Sequence, residues 1–179
     1  MKRYHVLFLC TANSARSILA EAYLNHAGRE RFRAYSAGSR PAGKVNRLAL
    51  ELLRESGIPS AGLRSKSWQE FTWPGAPEFD LVLTVCGAAA GELCPVWPGR
   101  PATAHWGVAD PAATTGSDKE KRDAFRRAFA ELSGRIDRLL ALPLDTLSAL
   151  ELPYRLQAIG GAATPPTPRR GSGRAARRP

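Results

Sequence analysis

The sequence predicts an α/β fold: one open parallel sheet of four strands, with helices on both faces to make three layers. Short apolar segments alternate with amphipathic segments up to about residue 160, and no internal repeat is present. Parallel strands need a crossover that is usually a helix, so this alternation favours a three-layer α/β domain. A chain of 179 residues is the length of one domain with a single sizeable core.

Four short apolar segments are predicted to be the strands. They are Tyr4–Leu9, Arg33–Ser36, Leu81–Val85 and Thr103–Trp106. Residues 60–78 are rich in Ser, Gly, Trp and Pro, so we expect a loop there with one helical turn.

Apolar residues at helical spacing predict the helices. The predicted ranges are Ile18–Ala27, Val45–Ser56, Ser117–Leu142 and Leu144–Ile159, with a short helix over Ala88–Leu93. Gly57 is the expected stop of the second helix. Ser117 is the expected cap of the long helix, because Asp118 and Glu120 follow in its first turn, where acidic side chains are favourable.

The chain is predicted to fold over residues 1–161 and to end in a disordered basic tail over residues 162–179. Gly, Pro, Ser and Arg dominate this tail, which cannot bury enough apolar surface to order itself. Five of its residues are arginines and none is acidic, so the formal net charge of +10 falls to about +5 for the folded part. A mildly basic domain suits an oxyanion substrate as well as nucleic acid.

Several classes of protein are disfavoured by composition. The chain lacks the basic, aromatic-studded face of a single-strand binder, so no specific nucleic-acid partner is expected. No apolar run approaches the roughly 18 residues of a membrane span, and Val6–Leu9 is shorter than a signal-peptide core of roughly 7–15 residues. We therefore expect a cytoplasmic protein without a membrane partner.

The three cysteines indicate a catalytic, redox or metal-binding role. In a reducing cytosol, cysteines are more often catalytic, redox-active or metal-binding than joined in structural disulfides. None of the three histidines stands at finger-like spacing to a cysteine pair, so no metal site is predicted.

The loop Cys10–Ser17 is the most informative segment. It reads Cys, five residues, Arg and Ser, between a predicted strand and a predicted helix. Backbone N–H groups at a helix N-terminus form an anion site. The candidate oxyanion-binding residues are Thr11, Ala12, Asn13, Ser14, Ala15, Arg16 and Ser17.

The same dipoles are expected to lower the pKa of Cys10 and make it a nucleophile at neutral pH. Arg16 would oppose the helix dipole unless an oxyanion lies between its planar fork and the loop. Ser17 can donate a hydrogen bond to the thiolate. Taken singly, Cys10 could be a small buried apolar residue, Asn13 or Ser14 a helix cap, and Arg16 a surface charge. Their combination at this junction favours the oxyanion loop.

The loop resembles the phosphate-binding loop of low-molecular-weight protein tyrosine phosphatases and of the thioredoxin-coupled arsenate reductases that share their fold. Further resemblances are Ser36-Ala37-Gly38-Ser39, Ser65-Lys66-Ser67-Trp68, and His105-Trp106-Gly107 before Asp110-Pro111. The resemblance runs from about Tyr4 to Ile159 and implies a flavodoxin-like winding of the sheet. It also implies that Cys10 is the nucleophile and that Arg16 clamps the oxyanion. Ala12 and Ala15 stand where the reductase loop often has Gly and Cys, and Ala12 raises the question of whether the turn is the same.

Asp110 matches the general acid of that family. The chemistry needs one, because expelling hydroxide from arsenate or an alkoxide from a phosphoester requires a proton. Alone, an Asp before a Pro indicates only a turn. Four residues after a predicted strand of this fold, Asp110 is predicted to be the acid.

Cys86 and Cys94 favour a reductase. Cys86 follows the strand Leu81–Val85 as Cys10 follows the first strand. If the two strands are neighbours, roughly 4.8 Å apart, both thiols emerge at the carboxyl edge, where such folds place their sites. The segment from Cys86 to Pro95 resembles the reductase redox segment. That resemblance implies that Cys86 attacks a Cys10–arsenate adduct and that Cys94 passes the resulting disulfide to thioredoxin or another thiol reductant.

Two other functions remain open. A phosphatase of this family usually carries aromatic residues after its Asp-Pro, whereas residues 112–115 are Ala, Ala, Thr and Thr. A non-catalytic thiol redox sensor would not need Arg16 or Asp110. The expected ligand is arsenate, with phosphate and sulfate as analogues, and no cofactor is required. Some relatives hold a structural potassium ion beside the loop, for which Asn13, Glu21 and Ser36 are candidate ligands here.

Overall fold

A four-stranded parallel sheet forms the centre of the molecule, in a computed structural model that describes residues 2–87 and 95–161. The strands are β1 (Tyr4–Cys10), β2 (Phe32–Gly38), β3 (Leu81–Thr84) and β4 (Ala102–His105). Their order in the sheet is β2-β1-β3-β4, and all neighbouring pairs are parallel. The predicted sheet and its winding are therefore confirmed.

Helices and short 3₁₀ turns lie between the first three strands and after the last strand. The helices are α1 (Arg16–Ala27), α2 (Arg47–Glu55), α3 (Asp118–Leu140) and α4 (Glu151–Gly161). The 3₁₀ turns are Trp68–Phe71, which is the helical turn expected within residues 60–78, and Pro111–Ala113. Among the described residues, no helix is both long enough and apolar enough to cross a membrane.

Strand β1 is central and is covered on both faces. Its residues from Val6 to Cys10 are all buried, as expected for a parallel strand that lies between two layers. Val6 and Phe8 face the larger core cluster, to which each of the helices α1 to α4 contributes. Leu7 and Leu9 face a smaller cluster with the aromatic residues Phe71, Phe79 and Trp97.

The ends of two helices follow the predicted signals. Ser117 caps α3 in a capping box: its hydroxyl accepts a hydrogen bond from the Glu120 backbone N–H, and the Glu120 carboxylate accepts one from the Ser117 backbone N–H. Gly57 follows α2 with a positive φ of 69°, the left-handed conformation in which glycine commonly ends a helix.

Helix α4 begins seven residues later than the predicted Leu144, at Glu151. Ser148 and Glu151 make reciprocal bonds, since the Ser148 hydroxyl accepts from the Glu151 N–H and the Glu151 carboxylate accepts from the Ser148 N–H. Such a pair starts a helix, so the apolar residues just before it form turns instead. The predicted short helix Ala88–Leu93 and the predicted tail 162–179 lie outside the described residues.

Candidate active site

The loop between β1 and α1 is shaped by hydrogen bonds on its outer side. The carbonyls of Thr11, Ala12 and Ser14 accept bonds of 2.8–2.9 Å, whose donors are the backbone N–H groups of Arg40, Ala42 and Asn46. In a planar trans peptide, the N–H of the next residue points the opposite way from the carbonyl. The N–H groups of residues 12, 13 and 15 therefore point into the loop, as an oxyanion site requires.

The left-handed residue of this loop is Asn13, with φ of 46°. Asn tolerates this conformation better than most residues. Ala12 has no positive φ, so an alanine meets no backbone strain of this kind where the related reductases often have glycine. The left-handed residue of the loop is thus one position after Ala12, so Ala12 does not prevent the turn.

Gly38 allows β2 to end directly beneath the loop. A Cβ at this position would lie 2.4 Å from the Thr11 carbonyl oxygen and 3.1 Å from the Asn13 Cβ. The backbone N–H of Gly38 also donates to the Lys66 carbonyl at 2.9 Å. Glycine within the Ser36–Ser39 motif thus permits a close approach that any side chain would block.

Asn13 is the centre of a buried hydrogen-bond network. Its side-chain oxygen accepts from the Lys66 backbone N–H at 2.8 Å, which fixes the orientation of the amide. Its amide nitrogen then donates to the hydroxyls of Ser17 at 2.8 Å and Ser36 at 2.9 Å. The Ser17 oxygen lies 2.9 Å from the Cys10 sulfur. Because Ser17 already accepts from Asn13, its own hydrogen is available to the sulfur.

The far end of this network is a buried ion pair. The Ser36 hydroxyl donates to the Glu21 carboxylate, and Glu21 lies 3.7 Å from the Lys66 ammonium. Lys66 is buried and also donates to the Arg64 carbonyl at 3.1 Å. Burial raises the pKa of Glu21 and lowers the pKa of Lys66, because it disfavours both charged forms.

The residues suggested as potassium ligands do meet here. Asn13 and Glu21 contact Ser36 from either side. However, the Lys66 ammonium already lies beside Glu21, the only carboxylate of the three. Because this carboxylate has a cationic partner, the three residues are poorly suited to hold a potassium ion. Within residues 2–87 and 95–161, no three His, Cys, Asp or Glu side chains cluster in a way that could hold a metal ion.

Cys10 ends β1 and is 4% exposed. Burial raises the pKa of the Cys10 thiol above its ordinary value, while hydrogen bonds from Ser17 and from the Asn13 backbone N–H, at 3.2 Å, act in the opposite direction. The expected lowering of this pKa is therefore wrong for this arrangement. The physical reason is the depth of the sulfur, together with the position of Arg16, which pairs with another group.

Arg16 is the first residue of α1, and its side chain points across the site to Asp110. Its guanidinium lies 3.3 Å from the Asp110 carboxylate and donates to the Val108 carbonyl at 2.9 Å. The other oxygen of Asp110 accepts from the Ala112 N–H at 3.1 Å and so caps the 3₁₀ turn Pro111–Ala113. The structure thus brings together the predicted nucleophile loop, the predicted oxyanion clamp and the predicted acid.

Cys86 lies at the same edge of the sheet as Cys10. Strands β1 and β3 are neighbours with Leu9 paired to Thr84, and the Val85 N–H donates to the Leu9 carbonyl at 2.8 Å. The Cys86 thiol is 1% exposed and lies 3.6 Å from the Thr11 hydroxyl. Two buried thiols therefore lie at the same edge of the sheet, as predicted: Cys10 is the last residue of β1, and Cys86 lies two residues after β3. Cys94 lies outside the described residues.

Two site residues were missed from the sequence. Lys66 stood within a family motif, but nothing local indicated that it would pair with Glu21. Arg135 is buried in α3 and donates to the carbonyls of Trp106 and Gly107, which lie shortly before Asp110. A signal did exist for Arg135, because it occupies a position of the apolar stripe formed by Ala128, Leu132 and Leu139.

Comparison with known proteins identifies the family to which this chain belongs. A family model described as low molecular weight phosphotyrosine protein phosphatase matches residues 5–149. An arsenate reductase of Halalkalibacterium halodurans is 38% identical over 136 residues, which cover 76% of this chain and 94% of the relative.

Two solved structures have the same fold. An arsenate reductase in a phosphate-binding state has a TM-score of 0.64 at 28% identity, with 79% of this chain and 98% of that chain covered. The thioredoxin-dependent arsenate reductase of Corynebacterium glutamicum has a TM-score of 0.56 at 29% identity, with 77% of this chain and 60% of that chain covered. The family match spans the strand, loop and helix that carry the candidate nucleophile, and this chain belongs to the low molecular weight phosphotyrosine protein phosphatase family.

Proposed function

We propose that this protein reduces arsenate to arsenite, with Cys10 as nucleophile and Cys86 as the second thiol. The observation that carries this proposal is the pair of buried thiols at the carboxyl ends of the adjacent strands β1 and β3. A phosphatase needs only the first of these thiols. The similarity to arsenate reductases over most of the chain supports the same choice.

In the first step, the loop N–H groups and Arg16 bind arsenate. The N–H groups of the loop point inward because its carbonyls are held on the outer side, and the planar guanidinium matches a tetrahedral oxyanion. The Cys10 thiolate forms a bond to arsenic while one arsenic–oxygen bond breaks. Asp110 donates a proton to the departing oxygen, which leaves as water.

In the second step, the Cys86 thiolate attacks the Cys10 sulfur. The electron pair of the sulfur–arsenic bond passes to arsenic, which becomes As(III) and leaves as arsenite. Cys10 and Cys86 are oxidised to a disulfide, so two electrons are transferred in all. Attack by a thiolate on an activated sulfur is the ordinary chemistry of thiol exchange. The Cys86 thiol at 3.6 Å from the Thr11 hydroxyl supports this step, because Thr11 directly follows Cys10.

In the third step, Cys94 attacks Cys86 and frees Cys10, and a thiol reductant then reduces the Cys86–Cys94 disulfide. Thioredoxin is the proposed reductant, since one structural relative is described as thioredoxin-dependent. Such a reductant is kept reduced in the cytoplasm, where we expect the protein to act. No organic cofactor and no metal ion take part in these three steps.

The test is arsenate-dependent oxidation of NADPH in the presence of thioredoxin and thioredoxin reductase, with arsenite quantified as product. We expect turnover by the wild-type chain and none by Cys10→Ser, because a neutral hydroxyl lacks the nucleophilicity and redox chemistry of a thiolate. Cys86→Ser should also fail to turn over. Wild-type protein that releases no arsenite above background would refute the proposal.

Phosphatase activity is the second candidate, since Cys10, Arg16 and Asp110 together suffice for it. Ala112 and Ala113, both exposed after Asp110, offer no aromatic surface for a phosphotyrosine ring. We therefore expect only slow hydrolysis of an aryl phosphate. Cys86→Ser separates the two activities, because it should keep the hydrolysis while losing arsenate reduction. A thiol redox sensor would instead keep its response to oxidants after Arg16→Met or Asp110→Asn.

A further inference from the structure

Arg135 is a buried cation at a position where the helix pattern calls for an apolar residue. Its side chain is 6% exposed, and it lies on the buried face of α3, between Leu132 and Leu139. Its Nε atom is buried and has no hydrogen-bond partner among the residues that the structure describes. Burying a guanidinium with an unsatisfied donor is unfavourable, so packing alone does not explain an arginine here.

The remaining donors of Arg135 are directed at the segment that leads to Asp110. One terminal nitrogen, Nη1, donates to the Trp106 carbonyl at 2.7 Å and to the Gly107 carbonyl at 3.1 Å. The other, Nη2, pairs with Glu131 one helical turn earlier. Glu131 balances the charge and holds the guanidinium in one orientation, so that Nη1 meets both carbonyls.

This segment, residues 106–110, has no regular secondary structure and is fixed by contacts at separate points. The backbone N–H groups of Trp106 and Val108 donate to the carbonyls of Thr84 and Val85, at 2.7 and 3.0 Å. Arg16 donates to the Val108 carbonyl from the other side. Arg135 is the side chain that holds the intervening peptide carbonyls.

We propose that Arg135 is a positioning residue for Asp110: by holding the carbonyls of Trp106 and Gly107, it sets the path of the segment that delivers the acid to the oxyanion. The general-acid role of Asp110 belongs to the proposed function, and this inference rests on it. Displacement of a catalytic group by about 1 Å can slow a reaction about 10²-fold. Loss of the Arg135 contacts should therefore slow the proton-dependent step without changing how tightly the loop binds an anion.

A double-mutant cycle between Arg135 and Asp110 tests this inference. The rate of the first arsenite release is measured in single turnover for wild type, Arg135→Met, Asp110→Asn and the double variant. We expect Arg135→Met to slow the wild-type chain by about 10- to 100-fold but to slow the Asp110→Asn chain by less than about twofold. The inhibition constant of inorganic phosphate should change by less than about twofold in either background.

Two further variants serve as controls. Arg127→Met removes an exposed arginine from the same helix and should leave the rate unchanged. Arg135→Lys keeps the charge and one donating group, so it should recover part of the rate that Arg135→Met loses. It also allows the test to be made if Arg135→Met does not fold. Equal slowing by Arg135→Met in both Asp110 backgrounds, no slowing by either Arg135 variant, or loss of phosphate binding would overturn the inference.

The double-mutant cycle tests the role of Arg135 even if the protein does not reduce arsenate. If the wild-type chain releases no arsenite, the same cycle is measured on hydrolysis of p-nitrophenyl phosphate, which needs the same acid for its leaving group. Non-additivity in that assay would support Arg135 as a positioning residue even though arsenate reduction had failed. Additivity would remove the inference in either reaction.

Discussion

Asn13 shows at the scale of a single residue how the loop controls its nucleophile. The Lys66 N–H fixes the Asn13 amide, the amide donates to the Ser17 hydroxyl, and the Ser17 hydrogen is left for the Cys10 sulfur. When Cys10 is a thiolate, Ser17 is the donor of this last bond, so the network stabilises a thiolate that burial alone would disfavour. The ion pair of Glu21 with Lys66 anchors its far end.

Asp110→Asn should slow formation of the Cys10 adduct by about 10²–10⁴-fold while leaving the fold intact, because an amide is not acidic enough to serve as a general acid. Asp110 lies at the surface beside Arg16, so its loss should not disturb the core. The measurement is the single-turnover rate of arsenite release at neutral pH, with the melting temperature as control. An unchanged rate would mean that Asp110 serves only as the cap of the turn Pro111–Ala113.

Lys66→Met should destabilise the protein by about 3–5 kcal/mol near neutral pH, because it leaves the buried Glu21 charge without its partner. Loss of Lys66 removes an influence that lowers the pKa of Glu21, so in the variant this pKa is raised further above its unfolded value. A group with a raised folded pKa stabilises at low pH and loses that contribution as pH rises. The deficit should therefore be smaller at about pH 5 than at about pH 8, as measured by denaturant unfolding.

Lys44→Met, which removes an exposed lysine, is the matched control and should show no such pH dependence. The wild-type protein can also be used to test whether a potassium ion binds beside Glu21. Because Lys66 already provides the cation beside Glu21, wild-type melting temperatures in potassium chloride and in choline chloride of equal ionic strength should agree. A stabilisation specific to potassium would show that an ion binds beside Lys66 after all.

The residues of the site were predictable where the signal was local. The spacing from Cys10 to Arg16 lies within one loop, and the structure gives these residues the expected neighbours. Lys66 and Arg135 act through partners far away in sequence, which no local pattern reveals. The pKa direction of Cys10 was wrong for a related reason, because the depth of the sulfur is set by the whole fold.

At the scale of elements, each strand lies within two residues of its predicted range. The clearest signals are the continuous apolar runs of β1 and β3, as expected of buried parallel strands. Helix α4 was less well predicted: the apolar residues from Leu144 onward had suggested an early start, whereas the Ser148–Glu151 pair sets the actual one. Capping chemistry outweighed apolar spacing at this end. At α3 the two signals agreed, and Ser117 was correctly predicted as the cap.

Gly38→Ala tests how closely β2 and the loop must approach. The added Cβ would lie 2.4 Å from the Thr11 carbonyl oxygen, and a backbone atom cannot move aside as a flexible side chain can. We expect a loss of about 1–3 kcal/mol in unfolding free energy and weaker phosphate binding. Gly161→Ala, where an added Cβ would meet no atom of the described part of the chain, is the control. Unchanged stability and phosphate binding in Gly38→Ala would contradict the close approach.

At the scale of the whole molecule, the fold brings three separate parts of the chain to one edge of the sheet. Cys10 is the last residue of β1, Cys86 lies two residues after β3, and the segment after β4 carries Asp110. The edge of a parallel sheet is where such folds place their sites, so the location of the site followed from the winding. The winding did not predict the role of α3, whose Arg135 holds the segment that leads to Asp110.

Removal of residues 162–179 should leave both melting temperature and arsenate reduction nearly unchanged. This stretch is rich in Pro and Arg, and from this composition we expect it to bury too little apolar surface to add to stability. The truncated chain and the full chain are compared by thermal unfolding and by NADPH-coupled turnover. A fall of several degrees in melting temperature would indicate that the tail packs on the domain, and the predicted boundary at residue 161 would then be wrong.

The central claim is that the Cys86 thiolate attacks the Cys10–arsenic adduct, so that arsenic is reduced and a Cys10–Cys86 disulfide forms. The Cys94→Ala variant tests this claim most directly. Without Cys94 the relay should stop after one turnover. After reaction with arsenate and trapping of free thiols, mass spectrometry of the digested protein should show a Cys10–Cys86 disulfide, with one arsenite released per chain. Repeated turnover of Cys94→Ala with thioredoxin alone would remove Cys94 from the relay. Arsenite release with Cys86 still alkylatable, or a single turnover that yields no Cys10–Cys86 disulfide, would contradict the claim itself.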